Sequence, residues 1–217
     1  MSIRILLVDD HQMMRDGLRS ILDAEEDLHV VGEAGTGDEA VKMAQELRPD
    51  VIVMDIGMRD LNGVDATRLI RTRDPGIKVV ALSTHSSEPY VISMLEAGAH
   101  GYVVKDAAVD EMRRAIRVVA SGRHYLSPDV AGSVVASHLR GATKGSPSAY
   151  ALLGARERQI LQLLAEGHTS SEIARKLHLA TTTVESHRRN IMKKLDLHSV
   201  AELTKYAIRE GLTSLER

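Results

Sequence analysis

The sequence predicts a doubly wound α/β domain on a five-stranded parallel sheet, followed by a small all-helical domain. Three observations carry that prediction. Short apolar runs recur between amphipathic stretches as far as Gly122, and Ser/Thr-x-x-Glu signatures repeat at helical spacing beyond residue 150. Charge is also divided unevenly: residues 1–140 hold 16 Lys and Arg against 22 Asp and Glu, whereas residues 141–217 hold 12 against 8. An acidic front and a basic back point to two modules with different partners, the second suited to a polyanion.

In chain order, the apolar runs are Ile3–Val8, Val30–Val31, Val51–Met54, Val79–Leu82 and Tyr102–Val104. None alternates strictly with polar residues, the pattern of strands buried on both faces of a parallel sheet. Between them, helical spacing places Met14, Leu18, Ile21 and Leu22 on one face, then Ala40, Val41, Ala44 and Leu47, then Val91, Leu95 and Ala97, then Met112, Ile116 and Val119. About five helices are expected in residues 1–122, with Pro49 closing the second and Asp74-Pro75-Gly76 turning into the fourth strand. Ser127-Pro128 opens a linker helix running to about Leu139, and GATKGSPS (141–148) has the composition of a flexible linker, so residues 123–149 read as a connector. Residues 150–217 then read as four short helices. Gly167 and Gly211 act as stops, and Thr169-x-x-Glu172, Thr182-x-x-Glu185 and Ser199-x-x-Glu202 read as capping boxes.

Composition narrows the function. The 217 residues carry a formal net charge of −2, with 43% hydrophobic and 27% charged residues, an ordinary globular balance. The absence of cysteine excludes a disulfide framework and thiolate chemistry. Phe and Trp are absent and Tyr numbers 5, which argues against stacked aromatic platforms for single-stranded nucleic acid. The longest apolar runs, such as Ile5–Val8, fall far short of the ~20 residues of a membrane span. That run meets Asp9-Asp10 without a signal-peptide pattern, so a cytoplasmic protein is expected. Gly32-x-x-Gly35-x-Gly37 follows the second strand with the wrong glycine order for a dinucleotide loop, and the 10 histidines show no zinc-ligand spacing.

The active edge of such a sheet lies beyond the carboxyl ends of its strands. Those ends carry Asp9 and Asp10, then Asp55, then Ser83 and Thr84, then Lys105. Each residue alone reads as a cap or a solvated loop side chain, and Asp10 as a helix cap. Together, three carboxylates need a cation to stay ionised, and a hard oxygen site suits Mg²⁺. A lysine beside them offers a point charge to a phosphoryl group, and an aspartate can attack phosphorus.

Leu7-Val8-Asp9-Asp10-His11, Val53-Met54-Asp55-Ile56, Ala81-Leu82-Ser83 and Gly101-Tyr102-Val103-Val104-Lys105 resemble a response-regulator receiver domain over residues 1–122. The resemblance implies that Asp55 is the phosphoacceptor, loaded from a histidine kinase phosphohistidine. It implies Mg²⁺ ligation by Asp10 and Asp55, by Asp9 through water, and by the Gly57 carbonyl. Ser83 would hydrogen-bond a phosphoryl oxygen, Lys105 would pair with the group, and Tyr102 would change rotamer in concert with Ser83. The chain departs from the family at Gly57, where many members have Asn or Asp, and at Arg59 and Asp106, where Pro is common. Losing the proline at Arg59 is expected to loosen that loop.

In TTTVESHRRNIMKK (181–194), Val184, Ile191 and Leu195 fall on one helical face and Thr182, Ser186, Arg189 and Lys193 on the opposite one. A capped helix, a tight turn and this basic face describe a helix-turn-helix whose second helix enters the major groove of double-stranded DNA. Glu185 can accept from a cytosine amine, and Arg189 can reach guanine or phosphate. Arg156–Leu161, Glu172-Ile173-Ala174, Thr183–His187 and Tyr206-Ala207-Ile208 resemble the LuxR-type helix-turn-helix, so the whole chain resembles a NarL/FixJ-type response regulator. That resemblance implies base contacts from Glu185, Ser186 and Arg189, phosphate contacts from Thr183, Arg188 and Lys193, and homodimerisation through the last helix. The family's Thr-Pro at the first helix start is Gly154-Ala155 here. Two other functions compete with a phosphorylation-switched regulator: an aspartate-nucleophile phosphohydrolase, and a receiver that only dimerises. The first needs a second acid near Asp55 where the loop offers Gly57, and lacks a cap domain, so the protein is expected not to be an enzyme by role.

Overall fold

Six strands lie in the order β2-β1-β3-β4-β5-β6, and each neighbouring pair is parallel. They are β1 (Ile3–Val8), β2 (Leu28–Ala34), β3 (Val51–Asp55), β4 (Lys78–Ser83), β5 (Gly101–Val104) and β6 (Tyr125–Leu126), in a computed structural model that describes residues 2–84, 86, 88–107, 109–139 and 152–213. Helices α1 (Gln12–Leu22), α2 (Gly37–Leu47), α3 (Gly63–Arg73), α4 (Glu88–Glu96) and α5 (Val109–Ala120) connect the strands, and α6 (Pro128–Leu139) follows β6.

The unbroken apolar runs are explained by burial on both faces. Alternate residues Ile5, Leu7, Val51, Val53, Val80, Leu82 and Val103 pack with Leu22 of α1 and Met112, Ala115, Ile116 and Val119 of α5. The intervening Leu6, Val8, Ile52, Met54, Val79, Ala81 and Tyr102 are equally buried and, by strand alternation, face the other way. Covering each large side chain stabilises the sheet by roughly 1.5–3 kcal/mol, and no aromatic other than Tyr102 is among the largest fully buried side chains.

The sheet has one strand more than the five expected. β6 is two residues long, too short to show any periodicity, and pairs Tyr125 with Gly101 and Leu126 with Tyr102. The first compact unit accordingly extends through β6 and α6 to Ala142, and the second is Thr143–Arg217. The GATKGSPS segment lies outside the described residues. α3, whose apolar spacing is weak, is fixed by its cap, Asn62 accepting from the Asp65 N–H at 2.9 Å. Asp10 does not cap α1; His11 occupies that position, and no side chain caps it. Two glycines of the Gly32/Gly35/Gly37 cluster serve packing: a Cβ on Gly37 would lie 2.2 Å from the Leu61 carbonyl oxygen, and one on Gly32 would lie 2.6 Å from Leu47.

The second unit contains α7 (Ala155–Ala165), α8 (Ser170–Lys176), α9 (Thr181–Leu195) and α10 (Val200–Arg209). Ile160, Leu161, Leu164, Ile173, Val184, Ile191, Leu203 and Ala207 are buried, one or more from every helix. Thr169/Glu172 and Ser199/Glu202 form reciprocal capping boxes. The Thr182/Glu185 box does not form. α9 starts two residues early, with Ala180 as its N-cap and Thr182 already inside the first turn, so the Thr182 hydroxyl lies past the position that could cap. Gly154, which has no capping side chain, still starts α7, because its N–H donates to Glu157 Oε2 at 2.9 Å.

Candidate functional site

The strand order reverses between β1 and β3, and the acids stand at the carboxyl ends of those two strands. Asp9 and Asp55 are buried and Asp10 is half-buried. Lys105, just past β5, reaches across with Nζ 2.7 Å from Asp9 Oδ2 and 3.2 Å from Asp55 Oδ2. His11 adds an imidazole, its Nδ1 2.8 Å from Asp10 Oδ1 and 3.2 Å from Asp9 Oδ1. Ligand atoms of Asp9, Asp10, His11 and Asp55 all lie within 4.8 Å of one another. Burial, reinforced by the charges of Asp9 and Asp10 and opposed by Lys105, pushes the Asp55 carboxyl up to about 6. Burial works against the Lys105 ammonium, but the Asp55 and Asp9 carboxylates outweigh it and hold its pKa above the ordinary value. At Asp55, one lysine therefore does not offset burial and the charges of the neighbouring acids. A small hard cation with oxygen ligands fits this donor set.

Ser83 ends β4 and is buried, and the fully buried Tyr102 on the adjacent β5 is hydrogen-bonded to it. Burial raises the Tyr102 pKa, so the phenol stays protonated. The loop after β3 is anchored despite the missing proline. Ile56, Met58 and Leu61 are buried, and the Gly63 N–H donates to the Ile56 carbonyl at 3.0 Å. Gly57 is exposed, with its N–H 3.4 Å from Asp55 Oδ1 and open space where a Cβ would stand. The Lys105–Asp106 peptide is trans.

Two contributors escaped the sequence reading. A Cβ on Gly63 would fall 2.0 Å from the Asp55 carbonyl oxygen, so α3 packs directly on the backbone that carries Asp55. Nothing in one sequence distinguishes that glycine from an ordinary helix start. His11 lies next to the acidic pair in the sequence, but its contact with both aspartates depends on the turn into α1 and is not legible from adjacency alone.

In the second unit, Thr182, Ser186, Arg189 and Lys193 are exposed on the side of α9 opposite the buried Val184 and Ile191, Glu185 is exposed on its flank, and Thr183 and Arg188 are half-buried, Arg188 one turn beyond Val184 on the inward side. Ser186 Oγ donates to the Thr182 carbonyl at 2.9 Å, and Arg189 Nη2 donates to Ser186 Oγ at 3.2 Å, so part of this face is ordered by its own hydrogen bonds. Lys194 is taken up by a partner: its Nζ lies 2.6 Å from Glu157 Oε2, tying the end of α9 to the start of α7. That lysine braces the helix. Burial alone would raise the Glu157 pKa, but the Lys194 contact and the Gly154 N–H hold it below its usual value.

A family model for the response regulator receiver domain matches residues 5–117, and one for bacterial regulatory proteins of the luxR family matches residues 151–207. The chain belongs to the response regulators. Within that family it is of the NarL/FixJ type, a receiver joined to a LuxR-type DNA-binding domain. It is similar to the response regulator UvrY of Escherichia coli K12, 39% identical over 214 residues that cover 99% of this chain and 97% of that one. The response regulator GacA of Pseudomonas aeruginosa is 38% identical over 210 residues, covering 97% of each chain. Among solved structures, a LuxR-family two-component response regulator from Aurantimonas sp. SI85-9A1 superposes with a TM-score of 0.62 at 34% identity, covering 64% of this chain and 99% of that one. This response regulator is thus a DNA-binding transcription regulator and not an enzyme by role. Among its described residues, no helix is long and apolar enough to cross a membrane.

Proposed function

We propose that Asp55 is the phosphoacceptor of this response regulator and that its phosphorylation switches dimerisation and DNA binding. The observation that carries the reading is one buried carboxylate at the switch point of the sheet, 3.2 Å from a lysine ammonium and crowded by two further acids. An Asp55 carboxylate oxygen attacks the phosphorus of a phosphohistidine on the cognate histidine kinase. The new O–P bond forms as the P–N bond breaks, and the departing imidazole keeps the electron pair and takes a proton. Lys105 remains close enough to pair with a phosphoryl oxygen, and the Ser83 hydroxyl can donate to another. Asp9, Asp10, Asp55 and the Gly57 carbonyl would hold Mg²⁺, which when bound neutralises the carboxylates and the phosphoryl oxygens. When Ser83 turns to the phosphoryl group it leaves Tyr102, whose hydroxyl then needs a new environment; that change of partner is the switch.

On the output side, Glu185, Ser186 and Arg189 would read base edges, while Thr182, Thr183, Arg188 and Lys193 would engage the backbone of two half-sites presented to a homodimer. A regulator of this kind works in the cytoplasm. The test is incubation with acetyl phosphate, with and without Mg²⁺, followed by intact-mass measurement. Stable Mg²⁺-dependent addition of one phosphoryl group at Asp55 is expected. Labelling elsewhere, or none, overturns the assignment, and rapid turnover favours a phosphohydrolase.

A further inference from the structure

α6 belongs to the compact unit that carries the candidate switch, and one residue joins it there. Ser127 is 1% exposed and sits between β6 and α6. Its N–H donates to the Tyr102 carbonyl at 2.9 Å. Its Oγ donates to Glu111 Oε1 on α5 at 2.5 Å. Its own carbonyl accepts from the Val130 and Ala131 N–H groups at 3.0 and 2.9 Å, which starts α6. A single buried serine is therefore bonded to β5, α5 and α6 at once. The backbone oxygen it holds belongs to the tyrosine bonded to Ser83.

α6 also packs on α4, the helix that follows the Ser83-bearing end of β4. It thus rests on the two elements that move if Ser83 and Tyr102 change partners. Both contacts lie within the first unit, and α6 is its last element among the described residues, ahead of the DNA-binding unit in the chain.

From this joint we infer that Ser127 is a coupling residue: held to α5 by Glu111, it converts a change at Tyr102 into a change at the start of α6, and so makes α6 the output lever of the receiver. The inference rests on the phosphoacceptor reading of Asp55. Movement of β5 against a fixed Ser127–Glu111 bond must tilt or fray the first turn of α6. Without that bond, β6 keeps its own ties, Tyr125 to Glu111 and to the His100 carbonyl, but the start of α6 loses its hold on α5 and is left where α4 holds it.

The experiment is amide hydrogen exchange on the full chain with Mg²⁺, with and without acetyl phosphate, reading Tyr102, Ser127, Val130, Ala131 and Val134. Intact mass gives the labelled fraction of each sample. In the wild-type protein, labelling should change exchange at these amides by about fivefold or more, the size of one buried hydrogen bond. Ser127→Ala should take up the phosphoryl group equally well, yet lose most of that change at α6 while keeping it at Tyr102. Glu111→Gln retains an acceptor oxygen and should respond like wild type; Glu111→Ala should behave like Ser127→Ala, and the double variant should be no worse than either single one. A labelled wild type with an unresponsive α6, or a labelled Ser127→Ala protein with the full α6 response, overturns the coupling alone. Absence of labelling in the wild type overturns it together with the phosphoacceptor reading.

Discussion

Two titrating side chains at opposite ends of the sheet pull the stability of the receiver in opposite directions with pH. At the carboxyl end, burial and then the neighbouring acids push Asp55 up to about 6. An unfolded aspartate titrates near 4, so the native state binds the proton more tightly, and the advantage is full below pH ~4 and lost as pH rises through 6. Metal-free Asp55→Asn protein should therefore melt higher than wild type at pH 7.5, by about 2–3 kcal/mol of stability, with the gain vanishing near pH 4. The same variant should take up no phosphoryl group. A thermal series from pH 4 to 8 checks the first part, and a gain that persists undiminished at pH 4 would contradict it. At the amino end, His100 precedes β5, with its ring stacked 5.4 Å from that of His124. Burial first, then Arg71, Lys78 and His124, depresses its pKa to about 4. Here the unfolded chain takes the proton first, so stability is intact above pH ~6.5 and falls as pH drops toward 4. His100→Gln should flatten that acid-side loss without touching phosphoryl uptake, which thermal melts at pH 7 and 5 can read. Lys105→Ala should leave labelling of Asp55 largely intact but uncouple it, so that labelled protein binds DNA as the unlabelled protein does. If labelled Lys105→Ala responds like wild type, the ammonium is only an ion-pair partner for Asp9 and Asp55.

Elements differ in how plainly the sequence declares them, and α9 marks the boundary. Its buried side, Val184 and Ile191, follows from helical spacing alone, and so does the exposure of Ser186, Arg189 and Lys193. Its start does not. Thr182-x-x-Glu185 matches a capping pattern as well as the real boxes at Thr169 and Ser199 do, but the turn delivers Ala180 to the cap position, and geometry overrides composition. β6 is illegible for a different reason: two residues have no period, and their pairing depends on where β5 stands. At the site, the acids, Ser83 and Lys105 are readable because each ends an apolar run, whereas Gly63 depends on how closely α3 approaches the Asp55 backbone. Because Glu185 is not a cap partner, Glu185→Ala should cost no helix stability. It should relax one operator position by ~1–3 kcal/mol if it accepts from a cytosine. Lys193→Ala should weaken all duplexes alike and lower the salt slope by about 1. Binding to a specific and a scrambled duplex over a range of salt separates the two, and an unchanged specificity ratio for Glu185→Ala removes it from base reading. Lys194→Met, by contrast, leaves the buried Glu157 carboxylate without its cation and should lower the melting temperature of the helical unit while moving the salt slope little.

The whole molecule consists of two units, each with its own buried interior, an acidic one ending at Ala142 and a basic one starting at Thr143. A fragment of residues 143–217 should fold alone, melt in one cooperative transition and bind duplex DNA with strong salt dependence. Far-ultraviolet melting and a salt titration check this, and a fragment that is unstructured until the receiver is added would contradict it. The aliphatic interior has a practical consequence as well. With no tryptophan in the chain, nothing drains the emission of its 5 tyrosines by energy transfer. One of these, Tyr102, is fully buried and bonded to the hydroxyl that has to turn away if the switch is thrown. The protein carries its own optical gauge: a change in tyrosine ultraviolet difference spectrum or emission, absent in Tyr102→Leu, would report the state of the switch in unmodified protein, and in real time.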